Sequence, residues 1–357
     1  MGENNVENPE RLRLLTQALP QWYADHARAL PWRQDREPYH VWLSEIMLQQ
    51  TRVEAVRGYY ARFLAALPDI PALAQADPEL LHKLWEGLGY YARVRNLQKA
   101  AQVLLTKHEG HFPEDYAAIR SLPGIGDYTA GAICSICFDL PTPAVDGNVL
   151  RVVTRLTADG RCVDDPAVKR DLRETLAAVY PARGAGVLTQ ALMELGATVC
   201  VPNGAPNCGN CPAADFCAAR DGDAWASYPV RAKKRERRIE QRTVFVFSRE
   251  GALALKKRKS TGLLAGLWEF PNVPGWLEPQ QALNLATEWG LHPRGLERQT
   301  ERTHIFTHVQ WEMRCYYIPC AAEGKELLWA DEPALNGQYA LPTAFRMFRP
   351  GQAGDEA

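Results

Sequence analysis

The chain has 357 residues, of which 46% are hydrophobic and 23% charged, with 41 Lys and Arg against 42 Asp and Glu. These values predict a soluble globular protein of two domains, and the balanced charge excludes an overall positive field that would attract nucleic acid. The polar start MGENNVENPE and the lack of any run of about 18 apolar residues argue against secretion and membrane insertion, so we expect a cytoplasmic protein.

Apolar residues recur at intervals of three and four from Pro9 to about Tyr228, which predicts a mainly helical region with short Gly and Pro breaks. One long helix is expected to follow Pro38. Glu45 lies at the margin of its apolar stripe, where a carboxyl group is by default a surface residue. In an apolar cleft, however, desolvation would raise the pKa of Glu45 and let it hold a proton near neutral pH.

A glycine-rich segment interrupts the helical pattern at residues 87–91. Gly87 and Gly89 predict a bend from which Leu88 and Tyr90 project. Aromatic residues beside glycines usually pack in a core, but beside a DNA groove they would make wedges between bases.

The sequence SLPGIGDYTAGAIC, at residues 121–134, predicts a tight glycine hairpin between two helices, with Asp127 as the cap of the second helix. The amides around Gly124 and Gly126, with those of the new helix N-terminus, would point in one direction and form a cradle for a phosphate. Such a cradle grips a nucleic-acid backbone without reading its sequence. The simpler alternative is a tight connection without a ligand.

Asp146 stands between a proline-rich loop and a helical run in PTPAVDGNVLRVV. A helix cap is the simpler interpretation of this carboxylate. The second carboxyl at Glu45 favours a chemical role, because two carboxyls in separate environments are what cleavage of a glycosidic bond requires.

Four cysteines, Cys200, Cys208, Cys211 and Cys217, have the spacing C-x7-C-x2-C-x5-C. Four thiols in one short loop predict a metal centre in a reducing compartment, either zinc or an iron-sulfur cluster, and the spacing does not choose between them. The remaining cysteines are expected to be plain thiols.

The sequence pattern changes after Ala218. A polar stretch with the basic run RAKKRERR predicts a linker over residues 222–241, either solvated or in contact with a DNA backbone. Alternating segments such as TVFVFS and WEMRCYYI, with one helix around QQALNLATEWG, predict an α+β domain over residues 242–357. The helical domain is predicted to span residues 1–221.

Taken together, these motifs resemble the helix-hairpin-helix DNA glycosylases and, among them, the MutY family of adenine glycosylases. The match spans nearly the whole chain in the family's order, through LPWR, WLSEIMLQQT, GLGYYARVRNL, LPGIGDYTAGAI, VDGNVLRV and the cysteine loop. The resemblance implies a mainly α glycosylase domain with an iron-sulfur loop, followed by an α+β Nudix-like domain. It also implies a 4Fe-4S cluster on the four cysteines, although the first cysteine interval is one residue longer than the family's.

The implied partner is double-stranded DNA with adenine mispaired with 8-oxoguanine or guanine, bound by a monomer. The resemblance makes Glu45 the general acid and Asp146 the anion that faces the sugar cation, with Tyr128 and Asn148 positioning them. Tyr128 stands where bifunctional relatives have a lysine, so we expect base release without strand cutting. The residues implied in binding the adenine or the DNA are Trp32, Arg33, Gln50, Thr51, Leu88, Tyr90, Gly124, Gly126 and Gln190.

The C-terminal part resembles a Nudix-like domain through GLLAGLWEFP, and the resemblance implies recognition of the damaged base by Phe306, Thr307 and His308. The segment QQALNLATEWG keeps only Glu288 of the clustered carboxylates that magnesium would need, so we expect binding rather than hydrolysis. Three alternatives stay open: a related glycosylase for another base, a non-catalytic iron-sulfur DNA-binding protein, and nucleotide hydrolysis by the C-terminal domain.

Overall fold

A computed structural model describes residues 8–233 and 236–351. Residues 1–7, Lys234 and Arg235 of the predicted basic linker, and residues 352–357 of the predicted C-terminal domain lie outside the described residues. The described chain forms two compact units, one of residues 8–75 and 96–233 and the other of residues 76–95 and 236–351. Within these ranges no helix is both long and apolar enough to span a bilayer.

Fourteen α-helices lie in the described residues. In chain order they are α1 (Asn8–His26), α2 (Pro38–Leu48), α3 (Val53–Ala66), α4 (Ile70–Gln75), α5 (Pro78–Leu84), α6 (Ala92–Lys107), α7 (Tyr116–Arg120), α8 (Asp127–Phe138), α9 (Gly147–Thr157), α10 (Pro166–Ala177), α11 (Ala185–Thr198), α12 (Pro279–Glu288), α13 (Glu332–Gly337) and α14 (Thr343–Arg346).

The core of the first unit is built on α11. This helix packs against α1, α8 and α9, and the buried apolar side of α1 meets those of α9 and α11. Leu15 and Leu19 of α1 are fully buried in this cluster, as the spacing of apolar residues predicts. Because α2 packs against α8, the glutamate on α2 and the residues that begin α9 are held by one helical framework.

The prediction of a single long helix after Pro38 is wrong. Two helices, α2 and α3, occupy this segment, and the chain between them carries Gln50 with a φ of 59°. A helix cannot continue through a left-handed residue, so the chain turns there. The turn leaves Gln50 exposed and brings residues 49–51 to the pocket described below.

The predicted helix-hairpin-helix is confirmed as α7, a glycine hairpin and α8. The expectation that Asp127 caps α8 is wrong, because Gly126 occupies the cap position and Asp127 is the first helical residue. Asp127 instead forms ion pairs with Arg120 at 2.7 Å and Arg173 at 3.2 Å. No side chain caps the start of α8, which leaves its first amides open to a ligand.

The second unit is an α+β domain, as predicted. Its seven strands are β1 (Arg238–Arg249), β2 (Ala252–Lys257), β3 (Trp268–Glu269), β4 (Asn272–Pro274), β5 (Arg298–Ile305), β6 (Val309–Pro319) and β7 (Leu328–Ala330). They form one mixed sheet in the order β3-β2-β1-β6-β5, with β4 paired to β1 and β7 to β2. The central strands β1 and β6 are parallel, from Arg238 opposite Val309 to Ser248 opposite Pro319.

Both faces of this sheet are buried, because the side chains of β1 alternate between two cores. Val244 and Val246 belong to one cluster, which includes residues of α13 and α14. Phe245 and Phe247 belong to the other, which includes residues of α12. The continuous apolar run TVFVF is therefore that of a central strand covered on both sides.

The structure differs from the predicted boundaries in two places. Strand β1 begins at Arg238, inside the predicted linker, because the chain already pairs with β6 there. Residues 76–95 group with the C-terminal residues. Within that unit the side chain of Glu79 accepts a hydrogen bond from Trp268 at 2.9 Å, and Glu86 accepts one from the Leu341 amide at 2.8 Å.

Candidate active site

One pocket of the first unit brings together the predicted catalytic residues. Its volume is about 470 Å³, which is within the range of small-molecule sites. The predicted residues that line it are Glu45, Tyr128, Asp146 and Asn148 from the catalytic set, and Trp32, Arg33, Gln50, Thr51 and Gln190 from the base-binding set. The two carboxyls, which are far apart in sequence, thus face one space.

Glu45 is a buried carboxyl, since only 6% of the residue is exposed. Its side chain on α2 accepts a hydrogen bond from the hydroxyl of Tyr128 on α8. Burial raises the pKa of Glu45 to about 7, with the hydrogen bond from Tyr128 opposing the rise and the charge of Asp146 adding to it. The carboxyl is therefore suited to hold a proton near neutral pH. Burial also raises the pKa of Tyr128, which stays a phenol.

Asp146 has the cap role weighed from the sequence, and it also lines the pocket, while its chemical role stays a prediction. It is the N-cap of α9 and accepts a hydrogen bond from the Val149 amide at 2.8 Å. Its other oxygen accepts a hydrogen bond from Asn148 Nδ2 at 2.8 Å. Burial raises the pKa of Asp146, and these two hydrogen bonds oppose the rise by stabilising the anion. The cap thus fixes the carboxylate at the pocket wall.

Asn148 is held in turn from two sides. Its Oδ1 accepts a hydrogen bond from Arg151 Nη2 at 2.8 Å. On the α11 side, a Cβ added to Gly196 would lie 2.6 Å from the Asn148 Cβ, so only glycine allows this approach of α9 and α11. The position of Asp146 is therefore set by helix packing as well as by its own hydrogen bonds.

The pocket is also lined by Arg28 and Glu194, which the sequence analysis missed. Glu194, on α11, is fully buried and receives hydrogen bonds from Arg28 at 2.6 and 2.9 Å and from Arg33 at 2.8 Å. Tyr23 donates its hydroxyl to Gln190 Oε1 at 3.0 Å. The available signal was helical spacing, because Glu194 follows Gln190 by four residues and so shares its face of α11.

The glycine hairpin depends on the backbone conformation of Gly124. Gly124 has a φ of 77°, and a Cβ there would lie 2.5 Å from the Asn96 Cβ, so glycine is required. Ile125 is buried and anchors the hairpin, whereas Gly124 and Gly126 are exposed. Arg120 Nη1 donates to the Ile125 carbonyl at 3.1 Å and stiffens the turn. The proposed contact with a DNA phosphate stays a prediction.

The other predicted DNA-binding residues lie in the second unit. Tyr90, with a φ of 48°, is 48% exposed, and its hydroxyl lies 3.2 Å from Thr307 Oγ1. Leu88 does not project as expected, because it is only 6% exposed. Phe306 stacks edge-on to Trp311, with ring centroids 4.8 Å apart, while Thr307 and His308 are exposed.

The four cysteines of the predicted metal loop line a single cavity in the first unit. The longer first interval does not separate them, because the Asn207 amide donates to the Val199 carbonyl at 3.0 Å and holds the two ends of this interval together. Among the described residues, no group of three or more Cys, His, Asp or Glu side chains is arranged to hold a single metal ion.

Two buried arginines of α9 face this cysteine loop. Arg155 Nη1 donates to Cys200 Sγ at 3.3 Å and to the Val201 carbonyl at 3.0 Å. Arg151 Nε donates to the Cys200 carbonyl at 2.7 Å. In the part of the chain that the structure describes, neither arginine forms an ion pair with a carboxylate. Two buried positive charges of this kind suit an anionic group in the loop.

Comparison with known proteins identifies the family of each unit. Residues 43–178 match the HhH-GPD superfamily of base excision DNA repair proteins, and residues 243–349 match the NUDIX domain. An adenine DNA glycosylase of Mus musculus is 33% identical over an alignment of 404 positions, which covers 94% of this chain and 78% of the mouse protein. The chain belongs to the adenine DNA glycosylase family.

Bacterial members of the family are similar over a comparable share of the chain. The adenine DNA glycosylase of Buchnera aphidicola subsp. Acyrthosiphon pisum (strain APS) is 31% identical, with 83% of each chain covered. Among solved structures, a thermostable thymine-DNA glycosylase superimposes with a TM-score of 0.54 at 23% identity, over 59% of this chain and 97% of that one. This likeness shows the shared glycosylase fold. The predicted family and fold class are confirmed, and the roles of single residues stay predictions.

Proposed function

We propose that this member of the family is a monofunctional glycosylase that releases adenine mispaired with 8-oxoguanine or guanine in duplex DNA. The observation that carries the proposal is one pocket in which a buried carboxyl with a pKa of about 7, Glu45, faces a second, hydrogen-bonded carboxylate, Asp146. The adenine lies inside the base stack and must be flipped into such a pocket, at a cost of about a few kcal/mol that mispairing lowers.

In the proposed reaction Glu45 donates its proton to N7 of the flipped adenine. The bond between C1′ and N9 then breaks, its electron pair stays with the base, and neutral adenine leaves. Asp146 faces the resulting oxocarbenium-like sugar and stabilises its charge, or traps it covalently. Glu45, now a carboxylate, takes a proton from the water that adds at C1′. The water thus supplies the hydroxyl of the abasic site and restores the proton of Glu45.

Tyr128 supplies no nucleophile for strand cutting, since a phenol cannot form the imine that a lysine forms with the sugar aldehyde. Its hydroxyl is already committed to Glu45 as a donor. We therefore propose that the product is an intact strand with an abasic site.

The rate of base release is expected to depend on pH through both carboxyls. Glu45 acts as an acid, so raising the pH through its pKa of about 7 removes the reactive proton and lowers the rate about tenfold per unit above it. Protonation of Asp146 at low pH removes the anion and gives an acid limb. Single-turnover rates against pH should form a bell, and a rate that keeps rising above neutral pH would contradict the role of Glu45.

Within the second unit, we propose that Tyr90 and Thr307 act together on the strand opposite the adenine. Their hydroxyls are 3.2 Å apart and both residues are exposed, so a wedge and a hydrogen-bonding group stand side by side. When DNA binds, the hydroxyl of Thr307 would exchange its hydrogen bond with Tyr90 for one with the damaged base.

We also propose that Cys200, Cys208, Cys211 and Cys217 hold a 4Fe-4S cluster. In such a cluster each thiolate binds a different iron atom, so the four sulfurs line a common cavity without converging on one point. A zinc site would need them to converge. The arginines Arg151 and Arg155 supply buried positive charge next to the thiolates. When bound, the cluster would fix the loop, and no step of the base release is assigned to it.

Replacing Cys211 with Ser is expected to lower the bound iron from about four atoms per chain to nearly none and to reduce the melting temperature. Cys162→Ser is the matched control, since Cys162 is partly exposed and lies outside the loop. Iron, sulfide and zinc are measured in protein purified without oxygen. Stoichiometric zinc in the wild type, or full iron in Cys211→Ser, would contradict the assignment.

A panel of labelled duplexes tests the proposed function. Each duplex has one central pair, with adenine opposite 8-oxoguanine, guanine or thymine, or with another mispaired base, and the products are separated with and without alkali. We expect adenine to be released from the first two duplexes, and the strand to break only after alkali. Release of a different base would favour a related glycosylase, and DNA binding without release of any base would favour a non-catalytic protein.

A further inference from the structure

Glu194 is the most completely enclosed charged side chain of the pocket. Both of its oxygens accept from two guanidinium groups, which make three hydrogen bonds, and the Arg28 amide adds a fourth at 3.1 Å. Burial alone would raise the pKa of Glu194, but the hydrogen bonds from Arg28 and Arg33 outweigh it and lower the pKa to about 2. The side chain is therefore an anion at every pH at which the protein would act.

The two arginines depend on this one carboxylate. Arg33 is only 15% exposed, lies with its guanidinium carbon 5.5 Å from the centre of the Tyr23 ring, and donates to the Arg28 carbonyl at 3.3 Å. Over residues 8–233 and 236–351, no other carboxylate forms an ion pair with Arg28 or Arg33. All three charged groups line the cavity that contains the two catalytic carboxyls.

The charges around Glu45 explain why the ion pairs of Glu194 affect the proton on Glu45. The groups that face its carboxyl are the Tyr128 hydroxyl and the Cys137 thiol from α8, the Asp146 carboxylate from the start of α9, and the Arg33 guanidinium. Of these, the Arg33 guanidinium favours loss of the Glu45 proton through its positive charge, and the Asp146 carboxylate favours its retention. A guanidinium that binds a base edge next to a general acid therefore works against that acid unless its charge is offset.

We propose that Glu194 is a positioning residue that fixes Arg28 and Arg33 against the flipped base and offsets their charge, so that Glu45 keeps its proton. This inference rests on the proposed base release. It assigns Glu194 no contact with the reacting atoms. Its effect on the reaction passes through the arginines and through the electrostatic potential at Glu45.

The test is the pH dependence of single-turnover adenine release by the full-length chain, with Glu194→Gln compared with wild type. Loss of the negative charge should move the alkaline midpoint to lower pH by about 0.5 to 1 unit, in addition to a lower maximum rate. Glu269→Gln removes another buried, ion-paired carboxylate, the partner of Arg258 in the second unit, and should leave the midpoint unchanged.

A second variant should shift the alkaline midpoint in the opposite direction, and this test does not require Glu194→Gln to fold. Arg28→Gln removes one positive charge and leaves Glu194 paired with Arg33, so its midpoint should move to higher pH. The double variant Glu194→Gln with Arg28→Gln restores the net charge, and its midpoint should return towards that of wild type while its maximum rate stays low.

A purely structural role predicts something different. Folded Glu194→Gln with a lower rate at every pH and an unmoved midpoint would overturn the inference, and so would an unmoved midpoint in Arg28→Gln. A wild-type chain that releases no adenine would instead refute the proposed function, which keeps the two failures distinguishable.

Discussion

Glu45→Gln is expected to slow adenine release by about 10²- to 10⁴-fold, the usual contribution of a positioned general acid. Glutamine has nearly the same shape, but it cannot give a proton to the leaving base. The measurement is the single-turnover rate of adenine release at neutral pH with the protein in excess. Because the neutral carboxamide replaces a buried carboxyl that is about half protonated at neutral pH and can keep the hydrogen bond from Tyr128, the variant should fold with wild-type stability.

Glu45→Gln should also bind the mispaired duplex as tightly as wild type, since the substitution removes chemistry and leaves the pocket filled. Glu269→Gln serves as the control for the loss of a buried carboxyl group elsewhere in the chain. An excision rate within about threefold of wild type in Glu45→Gln would refute its role as the acid, because such a change is less than 1 kcal/mol of barrier.

Asp146→Asn is expected to lower the rate of adenine release by about 10²- to 10³-fold, the range seen when one electrostatic stabiliser of a transition state is removed. Asparagine is as good a helix cap as aspartate, so the hydrogen bond to the Val149 amide can be kept. Only the negative charge that faces the sugar cation is lost. Thermal unfolding of this variant should match that of wild type.

Asp146→Ala separates the two roles of this residue. It removes the charge and the cap together, so its excision rate should resemble that of Asp146→Asn. Its free energy of unfolding should be lower than that of Asp146→Asn by about 0.5 to 2 kcal/mol. If Asp146→Asn instead retained full activity and only Asp146→Ala lost it, the cap would be the sole role of Asp146 and the proposed mechanism would fail.

Much of the fold was accessible from the sequence because its signals are local. The apolar spacing in α1, the glycine hairpin before α8 and the apolar run in β1 each act within a few residues, and each predicts the element that the structure has. The turn at Gln50 was missed because no glycine or proline marks it. The spacing of apolar residues does not predict a left-handed conformation at a polar residue, because the surrounding packing selects that conformation.

The site was predictable only in part, for a related reason. The motifs identify Glu45 and Asp146, but residue spacing does not reveal that Glu45 is buried or that its partner is the Tyr128 hydroxyl. The ion pairs of Glu194 join residues more than 160 positions apart in sequence, so their existence depends on how α11 meets the N-terminal segment. Long-range burial and charge pairing of this kind become visible only in three dimensions.

The account depends on a proton that stays on Glu45 next to an ionised Asp146, and this can be measured directly. In protein labelled with ¹³C at glutamate side chains, the carboxyl signal absent from Glu45→Gln is followed by NMR as the pH is changed. The account predicts a midpoint near 7 for Glu45 in the DNA-free protein. A midpoint in the usual range of about 4 to 5 would contradict it, because the carboxyl would then have no proton to give at neutral pH.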